Sequence, residues 1–167
     1  VGKTTFIKNL INVEAVAAFQ NAITIYIDLG TEAALASGLR EYILESISRV
    51  LDETYGFDVK SKSAAESIYH EDLKKFATTG LYAEFKESNP DLYQSKRIAF
   101  LEDKFAQRDE HLRLALQHVS LGRKKQIVLV LDNTDQRGAT TQDEAFIIGQ
   151  ELAHRWSVLV YLPLRPE

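Results

Sequence analysis

Apolar positions along the chain fall into two kinds of spacing. Over 4–19, Phe6, Ile7, Leu10, Ile11, Val13 and Val16 recur at helical intervals and give a wide apolar face. At 22–30, Ile23, Ile25 and Ile27 alternate with Thr24 and Tyr26 and a glycine follows, the pattern of a buried strand. Leu35, Leu39, Ile43, Ile47 and Val50 or Leu51 predict a helix over 32–53, with Tyr55-Gly56-Phe57-Asp58 as its stop. From about 63 to 121 the pattern is helical and rich in polar residues. Asn89-Pro90-Asp91 is its clearest break, with Pro90 suited to a first helical turn. Further on, Ile98, Leu101, Phe105, Leu112, Leu116 and Val119 trace one stripe, interrupted by Arg108 and suited to packing on a neighbouring helix. The run 126–132, QIVLVLD, reads as a strand buried on both faces. A helix is predicted from near Thr141, with Asp143 and Glu144 in its first turn, and an apolar strand over 158–162. Continuous apolar strands separated by helices imply a parallel sheet with helices on both faces.

Composition narrows the picture. The 167 residues are 45% hydrophobic and 26% charged, which suits one globular domain with a substantial core. A net charge of −4 argues against a broad nucleic-acid or membrane footprint. The absence of cysteine removes disulfides, thiolate zinc sites and thiol catalysis, and fits a reducing, cytoplasmic setting. His70, His111, His118 and His154 have no metal-ligand spacing, so solvated helix histidines are the expectation; His111 and His118 are placed to share a helix face. No apolar run approaches the length of a membrane span, and no signal peptide opens the chain.

The chemistry concentrates at the strand ends. Val1-Gly2-Lys3-Thr4-Thr5 is the back half of the phosphate-binding pattern G-x-x-x-x-G-K-[ST], so the chain reads as a piece cut inside a motif. In that pattern Gly2 lets the backbone approach a phosphate, and the N–H groups of Gly2 to Thr5 face the anion. Lys3 reaches the β- and γ-phosphates, and the Thr4 hydroxyl ligates Mg²⁺. IVLVLDNTD then delivers Asp132 to the C-terminal end of a parallel strand, where open α/β sheets bind ligands. A carboxylate there can hold the water shell of Mg²⁺ opposite Thr4, or can merely cap the following turn. Asp28, ending the first strand, can cap its turn or face the same cleft.

These motifs, with V-L-V-Y-L-P-L-R-P at 158–166, make the chain resemble P-loop NTPases of the AAA+/STAND type, NACHT-like or KAP-like. The resemblance implies an α/β, three-layer P-loop NTPase core with a parallel sheet, its first strand missing. The whole of 1–167 would be a partial domain of this kind. It implies ATP and Mg²⁺ as cofactors, with Asp132 the metal-associated carboxylate and Asp135 the residue that polarises the attacking water. It places Arg165 as the sensor arginine for the γ-phosphate. Departures are informative. Asn133 stands where many such ATPases carry a catalytic Glu, and Gln136 replaces a further Glu, so fast hydrolysis is not expected. Arg137 is expected to be a surface or ion-paired arginine, with an arginine finger as the weaker reading. Much more chain separates Lys3 from Asp132 than a bare core needs, so about 60–120 should form a helical insertion. There Tyr69, Phe76, Tyr82, Phe85 and Tyr93 are equally suited to packing and to recognition.

The expected function is Mg²⁺-dependent ATP binding with slow hydrolysis, driving a regulatory switch in a larger signalling or defence protein. Its partners would be ATP or ADP, with self-association or contact with other domains. Two rivals stand beside it: a nucleotide-locked assembly switch that does not hydrolyse, and a DNA-associated AAA+ loader, which the acidic balance disfavours. An N-K-x-D base-recognition motif, an Arg-rich kinase lid and an ABC signature are absent from the sequence.

Overall fold

A computed structural model describes residues 2–9, 13–14, 19–31 and 38–163. The first helix, α1 (Lys3–Asn9), precedes strand β1 (Ala22–Asp28). Helix α2 (Leu39–Tyr55) ends where Gly56 takes a left-handed conformation, φ 63°, and its N–H returns to Asp52 and Leu51 carbonyls. Then come α3 (Lys62–Ile68), α4 (His70–Thr78), α5 (Phe85–Ser88), α6 (Pro90–Ala106) and α7 (Arg108–Arg123). Strand β2 (Gln126–Asp132), a 3₁₀ turn (Thr134–Gln136), α8 (Ala139–Arg155) and β3 (Leu159–Tyr161) complete the order. The helical reading of 63–121 holds, but as five helices; only the break at Asn89 follows from the sequence. There the Asn89 side chain accepts from Leu92 N–H and Pro90 opens the helix. The single stripe predicted across Ile98 to Val119 is interrupted at Gln107, between α6 and α7; Ile98 is exposed while Leu112, Leu116 and Val119 are buried.

The sheet is all parallel, in the order β1-β2-β3, with Asp28 in register with Asp132. Ile23, Ile25 and Ile27 lie level with Ile127, Leu129 and Leu131, so these six share one face. Helices α2, α7 and α8 cover that face with Ile43, Leu44, Ile47, Leu51, Leu116, Ile148 and Leu152, among others. Each fully buried aliphatic side chain contributes roughly 1.5–3 kcal/mol, so this layer dominates stability. Gly149 of α8 sits close to the sheet, where an added Cβ would meet Val160 at 3.4 Å. Thr24, Tyr26, Val128, Val130 and Asp132 occupy the opposite face by parity, and α1 reaches that face through Thr4. The strand expected at 158–162 is shorter, and it is not buried throughout: Leu159 and Tyr161 are exposed. Arg40 ties α2 to α8 through both oxygens of Glu151 and to α7 through Asp109. Among the described residues, no helix is long and apolar enough to cross a membrane.

The helices between α2 and β2 carry their own packing. Phe76 lies 5.6 Å from Tyr93 and 5.4 Å from Phe100, ring centre to ring centre, and 6.2 Å from Tyr82, which in turn lies 6.3 Å from Phe85. His111 overturns the expectation of a solvated helix histidine. It is 4% exposed, its Nδ1 is 2.8 Å from the Tyr69 hydroxyl, and its Nε2 is 2.9 Å from the Val59 carbonyl. A carbonyl only accepts, so Nε2 carries the proton and Tyr69 donates to Nδ1. Burial holds the His111 pKa below its usual value and pushes the Tyr69 phenol up to about 12. His118, also on α7, stacks on Phe57.

Candidate functional site

The C-terminal ends of β1 and β2 gather the polar side chains of the sheet. Asp132 is fully buried, and its two oxygens have different partners. Oδ1 accepts from the Asn133 backbone N–H at 2.8 Å, and Oδ2 accepts from the Tyr26 hydroxyl at 2.5 Å. The turn-capping role foreseen for Asp132 is therefore real, and a second donor adds to it. Burial pushes the Tyr26 phenol well above its usual pKa, and hydrogen bonding to the Asp132 carboxylate adds to the rise. Tyr26 thus remains a proton donor at neutral pH. The sequence reading passed over Tyr26, although the alternation that buries Ile25 and Ile27 puts Tyr26 on the face of Asp132.

Asp28 caps its turn, as foreseen, and also bonds across to the turn after β2. Its Oδ1 accepts from Gly30 N–H at 2.8 Å, closing the turn after β1, and from Asn133 Nδ2 at 2.8 Å. Asn133 is left-handed, φ 61°, a conformation that Asn tolerates better than most residues. Its Oδ1 accepts from Thr4 Oγ1 and from Gln136 Nε2, each at 3.1 Å. The Asn133 amide, in the place where the resemblance puts a catalytic Glu, is thus bound to Asp28, Thr4 and Gln136. Gly30 sits inside this crowding: a Cβ there would lie 2.9 Å from Gln136 Oε1 and 3.0 Å from Asp28 Oδ1, so those side chains would have to shift.

Asp135 lies in the 3₁₀ turn after β2 with both carboxylate oxygens shielded from solvent. Arg137 is half-buried, and among the described residues its partners are backbone carbonyls. Its guanidinium donates to the Leu29 carbonyl at 2.8 Å and to the Thr31 carbonyl, locking the loop after β1 to the turn after β2. At the other end of the site, Gly2 has φ 141°, and Phe6 N–H returns to its carbonyl. The backbones of Lys3, Thr4 and Thr5 form the first turn of α1. The Lys3 side chain and Arg165 lie outside the described residues.

Thr4, Tyr26, Asp28, Asp132 and Asn133 therefore form one connected set of oxygen donors from three elements. Hard oxygens of this kind suit Mg²⁺, which takes few protein ligands and completes its shell with water and phosphate oxygens. Among the described residues, no group of three or more histidines and carboxylates is placed to hold a metal alone. Thr4 and Asp132 fit such a cation chemically, with Asp132 reached on the Oδ2 side, where its partner is a side chain. Compared with known proteins, the chain matches no family model, no curated protein and no solved structure.

Proposed function

We propose that the chain is the nucleotide-binding part of a P-loop NTPase that takes Mg²⁺-ATP and acts as a regulatory switch. One observation carries the reading. Thr4, at the start of α1, is bonded to Asn133, the residue after Asp132, across 129 positions of sequence and at the C-terminal edge of a parallel sheet. The two half-motifs that the sequence separates are thereby neighbours, with β2 in the middle of the three strands. In this reading the backbone of Gly2 to Thr5 and the Lys3 ammonium hold the phosphates. Thr4 and Asp132 hold Mg²⁺, whose bound form neutralises charge on the phosphates. Asp135 positions the attacking water, and Arg165 distinguishes triphosphate from diphosphate. A cytoplasmic setting and self-association or domain contacts belong to the same reading.

A second reading, the nucleotide-locked switch, is favoured by Asn133. Its amide is committed to Asp28, Thr4 and Gln136, and it cannot accept a proton from water. Mg²⁺-dependent ATP binding and turnover, measured on the full-length protein beside Lys3→Ala and Asp135→Asn, separates the readings. Binding lost in Lys3→Ala, with turnover lost in Asp135→Asn, is the expected result. Binding without turnover in the wild type favours the locked switch. No nucleotide binding by the wild type refutes both.

A further inference from the structure

We propose that Tyr26 is a latch on Asp132: its phenol occupies the side of the carboxylate at which Mg²⁺ must be received, and metal-bound nucleotide displaces it. The inference rests on the reading of Thr4 and Asp132 as the Mg²⁺ site. It starts from the two donors on Asp132. The Asn133 N–H on Oδ1 is backbone, fixed where β2 runs into its turn. The Tyr26 hydroxyl on Oδ2, at 2.5 Å, is carried by a side chain that rotates. A carboxylate oxygen has two acceptor positions, so geometry alone would leave Oδ2 a second partner. Burial removes that freedom. Asp132 has 0% exposure, so no water reaches Oδ2 beside the phenol. A water of the Mg²⁺ shell can therefore reach Oδ2 only where the Tyr26 hydroxyl now lies.

The placement of the latch is also specific. Tyr26 is half-buried on β1, while Asp132 ends β2, and the pair spans the gap between the strands. Thr4, the other residue assigned to Mg²⁺, lies on the same phenol. Tyr26 thus lies against both residues assigned to the metal site. It is a positioning residue, acting through Asp132. With the latch closed, Asp132 is held without metal; with it open, the carboxylate faces Thr4 and the phosphates. Nucleotide without metal leaves the latch closed.

The test uses the full-length protein with Tyr26→Phe, which keeps the ring and removes the proton. ATP binding is titrated against Mg²⁺, and thermal stability is measured alongside. Losing a hydrogen bond that competes for a charged group is expected to lower the half-saturating Mg²⁺ concentration roughly tenfold. ATP affinity in EDTA is expected to stay unchanged. An unchanged or raised Mg²⁺ requirement, with or without lost stability, overturns the latch and leaves Tyr26 a structural residue. A second measurement does not depend on the Phe variant folding. With 3-fluorotyrosine at position 26 of the wild-type protein, the ¹⁹F resonance is expected to move on adding Mg²⁺ with ATP, and to stay put with ATP and EDTA. A resonance that ignores Mg²⁺-ATP overturns the proposal. Failure of the wild type to bind ATP at any Mg²⁺ concentration removes the P-loop reading and the latch together. Binding with neither change removes the latch alone.

Discussion

Replacing His111 by Phe tests whether the helices between α2 and β2 are joined to the core by a neutral, buried imidazole. The substitution keeps an aromatic ring of similar shape beside Phe105 and deletes both ring nitrogens. Two hydrogen bonds are lost, to Tyr69 and to Val59, each worth about 1 kcal/mol net. The Val59 carbonyl and the Tyr69 hydroxyl are also left without this partner in a buried setting, which adds about 1 kcal/mol. The expected loss at pH 8 is therefore about 3 kcal/mol, or roughly 6–12 °C in Tm for a domain of this size. The pH dependence gives the sharper test. Burial depresses the His111 pKa in the folded protein, while the unfolded chain titrates near its ordinary value of about 6.5. Below that value the unfolded state binds a proton that the folded state refuses. Stability from the neutral imidazole is thus complete above about pH 6.5 and is lost as pH falls toward the depressed folded value. The Phe variant has no such contribution. Urea denaturation of both proteins from pH 8 to 5 should show the gap between them narrowing as pH falls. A constant gap would refute a buried neutral His111, and a widening gap would mean that the folded state holds it charged.

Substitutions at two further positions probe the strand-end site. Asn133→Ala removes the bonds to Asp28, Thr4 and Gln136 and forces an unfavourable left-handed alanine, so urea denaturation should show a loss of about 2–3 kcal/mol. A loss under about 0.5 kcal/mol would mean that the Thr4 and Asp28 links carry no weight. Arg137→Ala should cost about 1.5–3 kcal/mol in thermal melts through the released Leu29 and Thr31 carbonyls. Arg137→Lys should recover little, because one ammonium cannot reproduce the two-carbonyl fork; full recovery would sink the clamp.

The strands were legible because their hydrophobic pattern has few alternative solutions. Alternation at Ile23, Ile25 and Ile27 and the unbroken run Ile127–Leu131 match β1 and β2, and Asn89-Pro90 and Gly56 mark a real helix start and a real stop. Thr4 and Asp132 were singled out for their chemistry, and the fold brings Thr4 to Asn133, the residue after Asp132. The helix boundaries near Tyr69 and Gln107 were not legible. Neither carries Gly or Pro, and both are set by tertiary contacts, such as Tyr69 on His111. His111 looked solvated because its partners come from positions 42 and 52 residues away. The bond of Tyr26 to Asp132 and the carbonyl partners of Arg137 were hidden for the same reason. Each side chain acts across about a hundred residues, on Asp132 or on the carbonyls after β1, and no local pattern announces that.

The parallel pairing of β1 with β2 also governs how the site comes into existence. The bonds that join its elements are long in sequence: 106 positions for Tyr26 with Asp132, 105 for Asp28 with Asn133, 129 for Thr4 with Asn133. Closing a loop of that size costs about 4 kcal/mol of chain entropy, returned only once the strands are in register. Helices α3 to α7 meet no such barrier, since their hydrogen bonds close within a turn and α7 follows α6 directly. Topology therefore favours the intervening helices, Lys62 to Arg123, forming before the sheet. The Tyr26–Asp132 and Asp28–Asn133 links are absent from every state in which β1 and β2 are apart, and the cluster is complete only when α1 has docked as well.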